Sequence, residues 1–546
     1  MAMISKRFGS VEPFTTFESL SARRGLPVAS EEFFKAVLQY GTFDGYDIYC
    51  PDAETYRKMM ARLEEILPEP ELRKRVQPSL QIALQEALNA RDYTVFHTFD
   101  AMKTMPALAR LRNRYAKTPF AITATTLDTM STRTVGQWVE LAMGGLQPYD
   151  ALVAPTMAAA QTLRGQLAAT TKVLANGNAI EALRMETLPF GVDTALFEQL
   201  DRETAREMFH IPKGWTMALS VGTISHRAKQ DWSPTLELLA RMYATGQYSD
   251  LMCVIAGSGD PVAVDTLQTL IGELGLQARV LVFANFKPEV KQQLFAAADF
   301  FMAPVDNPAS TNAITTAEAM AAGLPVLASG FGASRNLVED GVSGFILKSA
   351  ALETIPEFIE VAQPLLSAEL ESLYLSQLVS LDLDKMESSL HNLIRNPQMR
   401  EQMGLAARAK AKKLAWPEVV REYEAMWTQL SAEAQRRGKG LAPATQELSA
   451  KPLEGAVSAL ADTVIGEGTA FKKSDKVAPN SLLTRYDDVR VCIFEPLEAM
   501  VMEAMATGPQ TLQQLRDMGQ KHLGVNQAYV DFHAVWLLKH GRIALA

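Results

Sequence analysis

Short apolar runs alternate with amphipathic stretches along most of the chain. In the first part, YDIYC (46–50), YTVFHTF (93–99), FAITATT (120–126) and ALVAP (151–155) are short and rich in β-branched and aromatic residues, which predicts buried strands. Between them, EEFFKAVLQYG (31–41) predicts a helix. Phe33, Phe34, Val37 and Leu38 share one face of it, and Gly41 suits its C-terminal cap. SLQIALQEALNA (79–90) and MKTMPALARLRNRYA (102–116) predict two more helices, the second with Pro106 near its start. Strand–helix alternation of this kind predicts a parallel sheet covered on both faces.

A second series follows LPFGVDTALF (188–197). TMALSVGT (216–223), LMCVIAG (251–257), ARVLVFANF (278–286), DFFMAPV (299–305) and LPVLASG (324–330) predict strands. Helical stretches at 233–245, 264–275, 288–298 and 315–323 separate them. Several of these strands end in small or polar residues, Gly222, Gly257, Asn285 and Ser329. Open parallel sheets bind ligands in the crevice beyond the carboxyl ends of their strands, so chemistry is expected there. The pattern predicts an α/β protein with two doubly wound, Rossmann-like domains facing a cleft, residues 1–185 and 186–413. An amphipathic helix at 414–430 comes next, then a linker over 431–480 rich in Ala, Gly, Lys and Pro. The segment 481–546 predicts three helices (496–507, 511–522, 526–541) and a short closing strand, a small helical, winged-helix-like module. Three readings of this module stand open: packing or dimerisation, protein or peptide recognition, and nucleic-acid binding, the last disfavoured by charge.

Composition narrows the classes. The chain has 546 residues, 48% hydrophobic and 21% charged, enough for packed cores and against disorder as the main state. Lys and Arg number 53 against 62 Asp and Glu, a net charge of −9, which disfavours a nucleic-acid-coating protein. Cys50, Cys253 and Cys492 are odd in number and far apart. They predict neither a disulfide framework nor a cysteine-based metal site, and they fit a cytoplasmic protein. No apolar run reaches the length of a membrane span, and no signal-peptide pattern follows MAMISKRFGS.

The second series carries a resemblance. LPFGVDTALF, SVGTISHRAK, IAGSGD and EAMAAGLPVLASGFGASRNLVEDGVSGF (318–345), in this order and spacing, resemble the donor-binding half of glycosyltransferase family 4. RGLPVASEEFFKAVLQYGTFDGYDIY (24–49) resembles the start of that family's N-terminal domain, and the helix at 414–430 its helix that crosses back to it. The resemblance covers roughly 1–430. It implies the GT-B fold, a nucleotide-sugar co-substrate with no bound cofactor and no metal, and, if the protein is active, transfer with retention of anomeric configuration. Residues 1–185 become the acceptor side and 186–413 the donor side. The acceptor, whether glycan, protein or peptide, is not implied.

A nucleotide diphosphate needs cations, helix N-termini or clustered backbone N–H groups. The resemblance places Lys229 on the diphosphate as the candidate catalytic cation, and Glu318 on the ribose. Gly25, Gly222, Thr223, Arg227, Gly257, Ser310 and Asn312 join them as candidate donor-binding residues. From the residue alone, Lys229 reads equally as a solvated surface charge. Three positions depart from the family pattern. Thr223 stands where an Arg is usual, Ser310 where the first of two Glu is usual, and Leu127 where a loop His is usual. Asp306 reads either as a partial substitute for the missing acid or as the cap of the following helix. His97 reads either as a second catalytic residue in the cleft or as a satisfied strand-end histidine. Asp100 and Asp128 are the remaining acids expected at the cleft, and Glu339 reads as structural. Three changed positions keep a second function open, a catalytically degenerate GT-B protein that serves as a binding or scaffold subunit, with the C-terminal module recognising the partner.

Overall fold

The computed structural model of the protein describes residues 6–12, 25–126, 137–141, 144–173, 183–198, 200–227, 229–308, 312–352, 354–438, 463–474, 487–490 and 492–546. They fall into a large unit within residues 1–443 and a small unit formed mainly by residues from 444 onward.

The large unit contains two separate parallel sheets. The first has β1 (Arg7–Ser10), β2 (Gly45–Cys50), β3 (Val76–Leu80), β4 (Val95–Thr98), β5 (Ala121–Thr125), β6 (Ala151–Ala154) and β7 (Arg184–Thr187), in the order β3-β2-β1-β4-β5-β6-β7. The second has β8 (Thr216–Val221), β9 (Leu251–Gly257), β10 (Val280–Ala284), β11 (Phe300–Ala303), β12 (Val326–Ser329) and β13 (Gly344–Leu347), in the order β10-β9-β8-β11-β12-β13, and β14 (Ser349–Ala351) pairs antiparallel with β15 (Val379–Leu381). Both orders reverse direction at one place, between β1 and β4 and between β8 and β11. Such a reversal opens the crevice in which doubly wound sheets bind ligands. The strands β2, β4, β5, β6, β8, β9, β11 and β12 are buried along their whole length, as two-sided coverage by helices requires.

Helices α1 (Gly25–Tyr40), α2 (Pro288–Ala297), α3 (Ile314–Ala321), α4 (Pro397–Ala411) and α5 (Trp416–Arg437) matter most for the site. Helix α5 leaves the second sheet and packs on the first. Trp416, Val419, Val420, Tyr423, Met426, Trp427 and Leu430 share one apolar core with Phe8, Phe33, Phe34, Phe43 and Tyr46. Polar contacts set its register: Trp427 Nε1 donates to Thr123 Oγ1 at 3.0 Å, and the Thr42 N–H donates to Glu424 Oε1 at 2.6 Å. Its entry is tight, since a Cβ on Gly191 would lie 2.2 Å from the Trp416 ring.

Three elements differ from the periodicity reading. Residues 79–90 are not one helix: Val76–Leu80 is a strand, Gln81–Ala83 a 3-10 turn and Leu84–Ala90 a short helix. Pro78 is tolerated in β3 because that strand lies at the sheet edge. Helix α5 runs past residue 430 to Arg437, where Gly438 at φ 77° ends it, so the start of the expected linker is helical. The far end of that linker holds a strand, β16 (Ala470–Lys473), whose Phe471 is fully buried in the core of the small unit.

The small unit pairs β16 with β17 (Gln510–Thr511) and β18 (Ile543–Leu545) in an antiparallel sheet of order β17-β16-β18. Helices α6 (Glu495–Ala506), α7 (Leu512–Leu523) and α8 (Gln527–Lys539) surround a core of Leu497, Val501, Leu515, Val530, Ala534 and Leu537. Helix α7 starts with a reciprocal capping box between Thr511 and Gln514 and ends at Gly524 in the left-handed conformation.

Candidate functional site

The chain leaves β8 at Gly222 and crosses the carboxyl end of the sheet before helix Ser233–Ala244 begins. Lys229 in this crossing folds back over the strand end. Its Nζ donates to the Val221 carbonyl at 3.2 Å and to Thr315 Oγ1 at 3.4 Å. Gly222 makes room for it: a Cβ there would sit 2.1 Å from Lys229 Nζ. Gly257, ending β9, has φ +154°, and a Cβ there would strike the Gly222 carbonyl oxygen at 1.5 Å. Neither position admits a side chain without moving the lysine or the backbone. Burial, and after it the charge of Lys291, push the Lys229 ammonium down to about 8, with Glu318 opposing. Ser220, Gln230, Asn312, Thr315 and Thr316 line a small pocket around Lys229.

The glycine turn after β9 is braced from β10. Asn285, at φ 55°, accepts from the Gly259 N–H at 3.1 Å and donates to the Gly259 carbonyl at 2.9 Å. Asp260 caps the helix Pro261–Glu273 by accepting from the Val262 and Ala263 N–H groups.

Helix α3 carries Glu318 to the same rim. Its Oε1 accepts from Lys291 Nζ of α2 at 2.5 Å, and its Oε2 is buried with no hydrogen-bond partner among the described residues. The first turn of α3 also meets the first domain, because Ile314 packs against the aromatic core built on β1, α1 and α5. Glu32 of α1 lies within electrostatic range of Glu318. Burial first, then the charges of Glu31, Asp193 and Glu318, push its carboxyl up, while Lys35 opposes. The rim where the two sheets face each other thus gathers Lys229, Lys291, Glu318 and Glu32. Neither Lys291 nor Glu32 was singled out by motif. Lys291 sits in an ordinary amphipathic stretch, and Glu32 adjoins the buried Phe33 and Phe34, so neither carries a local signal.

Other expected site residues fall elsewhere. His97 is fully buried on β4: Nδ1 pairs with Thr123 Oγ1 at 2.8 Å, Nε2 lies 3.3 Å from Thr125 Oγ1, and the ring stacks on Phe33. Burial pushes it down to about 3, so it is a neutral core histidine and not the cleft residue that one reading allowed. Asp306 does not cap the following helix. It is buried at the end of β11 and accepts from the Asp231 N–H at 3.1 Å, tying the Lys229 crossing to the neighbouring strand; burial raises it to about 7. Asp100 is occupied by the Lys103 N–H and Thr104 Oγ1 at the start of helix Thr104–Tyr115. Arg227 is exposed, and its carbonyl accepts from Asn307 Nδ2. Thr223 follows Gly222 half-buried, and its carbonyl accepts from the Ser225 N–H. Gly25 is the first residue of α1. Exposed Glu339 closes a turn with Ser343. Ser310, Leu127 and Asp128 lie outside the described residues.

At the carboxyl end of β1, Glu12 is another acid that no motif marked. It accepts from Thr98 Oγ1, from the Phe99 N–H at 2.8 Å and from the Asp100 N–H at 3.0 Å, closing the reversal point of the first sheet. Burial raises its carboxyl, and those three hydrogen bonds oppose the shift.

Comparison with known proteins agrees with this geometry. Residues 201–361 match the family model described as Glycosyl transferases group 1. The D-inositol 3-phosphate glycosyltransferase of Mycolicibacterium gilvum is 32% identical over 169 residues, 30% of this chain and 36% of that protein. The chain thus aligns with only about a third of the length of the curated relatives it matches. Among solved structures, HepE from Anabaena in complex with UDP and glucose superposes with a TM-score of 0.52 at 15% identity, covering 78% of this chain and all of HepE. Sucrose-phosphate synthase from Thermosynechococcus elongatus superposes with a TM-score of 0.51 at 15% identity, over 78% of this chain and 100% of that one. The fold of the large unit is GT-B, and its second sheet lies within the residues that match the glycosyltransferase group 1 model. Among the described residues, no helix is long and apolar enough to cross a membrane.

Proposed function

We propose that this GT-B protein, with its glycosyltransferase group 1 domain, transfers a sugar from a nucleotide-sugar to an acceptor, with retention of configuration. The observation that carries the reading is Lys229, held over a side-chain-free strand end at the reversal point of the second sheet, with Glu318 on the same rim. Group 1 similarity falls on the donor side, so donor chemistry is the part supported. UDP is the first nucleotide to test, because the Anabaena neighbour was solved with it. The acceptor belongs to the first sheet, which the family match does not reach.

In this reading Lys229 meets the diphosphate. As the glycosidic bond to the leaving phosphate breaks, negative charge grows on that phosphate, and a cation already in place stabilises the growing charge more than the ground state. Glu318 accepts from the ribose hydroxyls. The backbone of the turn at Gly257–Asp260 abuts the strand end and shapes the nucleotide end of the crevice.

A thermal-shift screen of UDP, GDP, ADP and their sugars tests the reading. A ligand that binds only the folded state stabilises by about 2.7 kcal/mol at a hundredfold excess over its Kd. One nucleotide family should raise Tm clearly above the others. If none moves it, the transferase reading fails and a scaffold role takes its place.

Binding should also depend on pH. Lys229 has its free-protein pKa lowered to about 8. It is mostly protonated at about pH 7 and mostly neutral at about pH 9, and a diphosphate binds the protonated form. Affinity therefore falls as pH rises: Kd for UDP should increase about tenfold over that interval. Lys229→Arg, whose charge persists throughout, should flatten the profile in calorimetric titrations.

A further inference from the structure

We propose that Lys291 is the second cation of the diphosphate subsite, and that by holding Oε1 of Glu318 it leaves Oε2 as the acceptor for a ligand hydroxyl; the inference rests on the donor reading above. The case begins with a charge count. A nucleotide-sugar carries a negative charge on each of two phosphates. If Lys229 and Glu318 stood alone, their charges would cancel, and the diphosphate would approach a site of no net charge beside a carboxylate. Thr223 adds none at the strand end, and the Arg227 side chain is exposed to solvent. Lys291 offsets Glu318 and leaves the Lys229 charge to the diphosphate, while burial pushes Glu32, the other acid of the rim, toward its neutral form.

Geometry places Lys291 for that role. Its Nζ lies 2.5 Å from Glu318 Oε1 and so joins α2 to α3, the helix whose Thr315 Oγ1 lies 3.4 Å from Lys229 Nζ. The Lys291 side chain is 32% exposed. The two ammonium groups sense each other, for Lys291 helps to lower the Lys229 proton affinity while Glu318 raises it. Glu318 is paired with Lys291 and attracts Lys229 from a distance, and an anion bound by both lysines relieves the repulsion between them. The other oxygen of that carboxylate, Oε2, is buried with no hydrogen-bond partner among the described residues. A buried acceptor without a donor costs free energy until a ligand supplies one. The arrangement sorts the ligand: its diphosphate to the lysines and a hydroxyl group to Oε2.

The test uses the full chain and calorimetric titration with UDP, uridine and inorganic pyrophosphate. The proteins are the wild type, Lys291→Met, Lys291→Arg, Glu318→Gln and the Lys291→Met/Glu318→Gln double variant, each checked for an unchanged melting profile. Lys291→Met should raise Kd for UDP and for pyrophosphate about tenfold or more, as loss of a charge-assisted contact does, and leave uridine unchanged. Lys291→Arg should bind UDP and pyrophosphate as tightly as the wild type. The pyrophosphate loss should persist when Glu318 is already Gln. If it vanishes there, Lys291 only neutralises Glu318 and the inference is overturned, while the donor reading stands. If the wild type binds pyrophosphate with this Lys291 dependence but no nucleoside diphosphate, the donor reading falls and the cation pair survives. Binding of neither ligand overturns both.

Discussion

Lys229→Met should leave a folded protein that binds its nucleotide weakly and transfers sugar several hundredfold more slowly. Methionine keeps the length and the apolar stem but removes the charge. The ammonium that lies over Gly222 has two neutral partners, the Val221 carbonyl and Thr315 Oγ1, and among the described residues no carboxylate directly on it. Its charge is therefore available to a ligand. Losing one preorganised group at a site of developing charge costs about 10²–10³ in turnover, and the effect on kcat should exceed the effect on KM. Fold stability should hardly change, because burial already disfavours the charged form of this lysine. Steady-state kinetics on the donor found by thermal shift gives the comparison. Equal kcat in wild type and variant would remove Lys229 from the chemistry.

The second large effect is structural. Trp427→Ala should destabilise the first sheet's core by about 3–5 kcal/mol, the range for truncating a buried aromatic residue. The indole is fully buried and sits against Phe8, Phe43, His97 and Tyr423 with ring centroids 5.4–5.9 Å away. Its N–H also satisfies Thr123 Oγ1, which shares His97. Removing it opens a cavity and breaks one of the hydrogen bonds between α5 and β5, leaving that of Tyr423 OH with Thr125 Oγ1. Because the molecule has more than one unit, the loss should be read on the transition that follows this core, for example by near-ultraviolet circular dichroism. Trp427→Phe should recover part of the loss and not the hydrogen bond. A shift below about 1 kcal/mol for the alanine variant would mean that α5 contributes little to the first core.

Much of the framework was legible because its signal is local. Strands such as LMCVIAG and TMALSVGT are continuous apolar runs, and the helices between them keep one apolar stripe. Glycine at strand ends, followed by Lys229, is the segment that the family resemblance singles out for the donor diphosphate. What stayed hidden lacked that local contrast. β1 is RFGS, four residues with one large apolar side chain, yet it is an interior strand of its sheet. It can do so because Gly9 leaves the space that Phe96 fills, a Cβ there falling 2.5 Å from the Phe96 ring. β16, AFKK, is read as linker from composition and becomes the middle strand of its sheet only because partners distant in sequence bury Phe471.

The candidate site divides in the same way. The sequence by itself determined the two sheets, the positions of Gly222, Lys229 and Glu318, and the order in which the chain visits them, since each follows from patterning or motif within a few residues. Only the tertiary structure decided what faces those groups. It sealed His97 inside an aromatic core, where both its nitrogens are engaged by threonines of the neighbouring strand. It turned Asp306 inward to hold the Asp231 backbone. It brought Lys291 from 27 residues upstream onto Glu318. A side chain's identity is local, but its charge acts through whatever surrounds it, and burial, partners and net charge at a cleft are set by segments that meet only when the sheet closes.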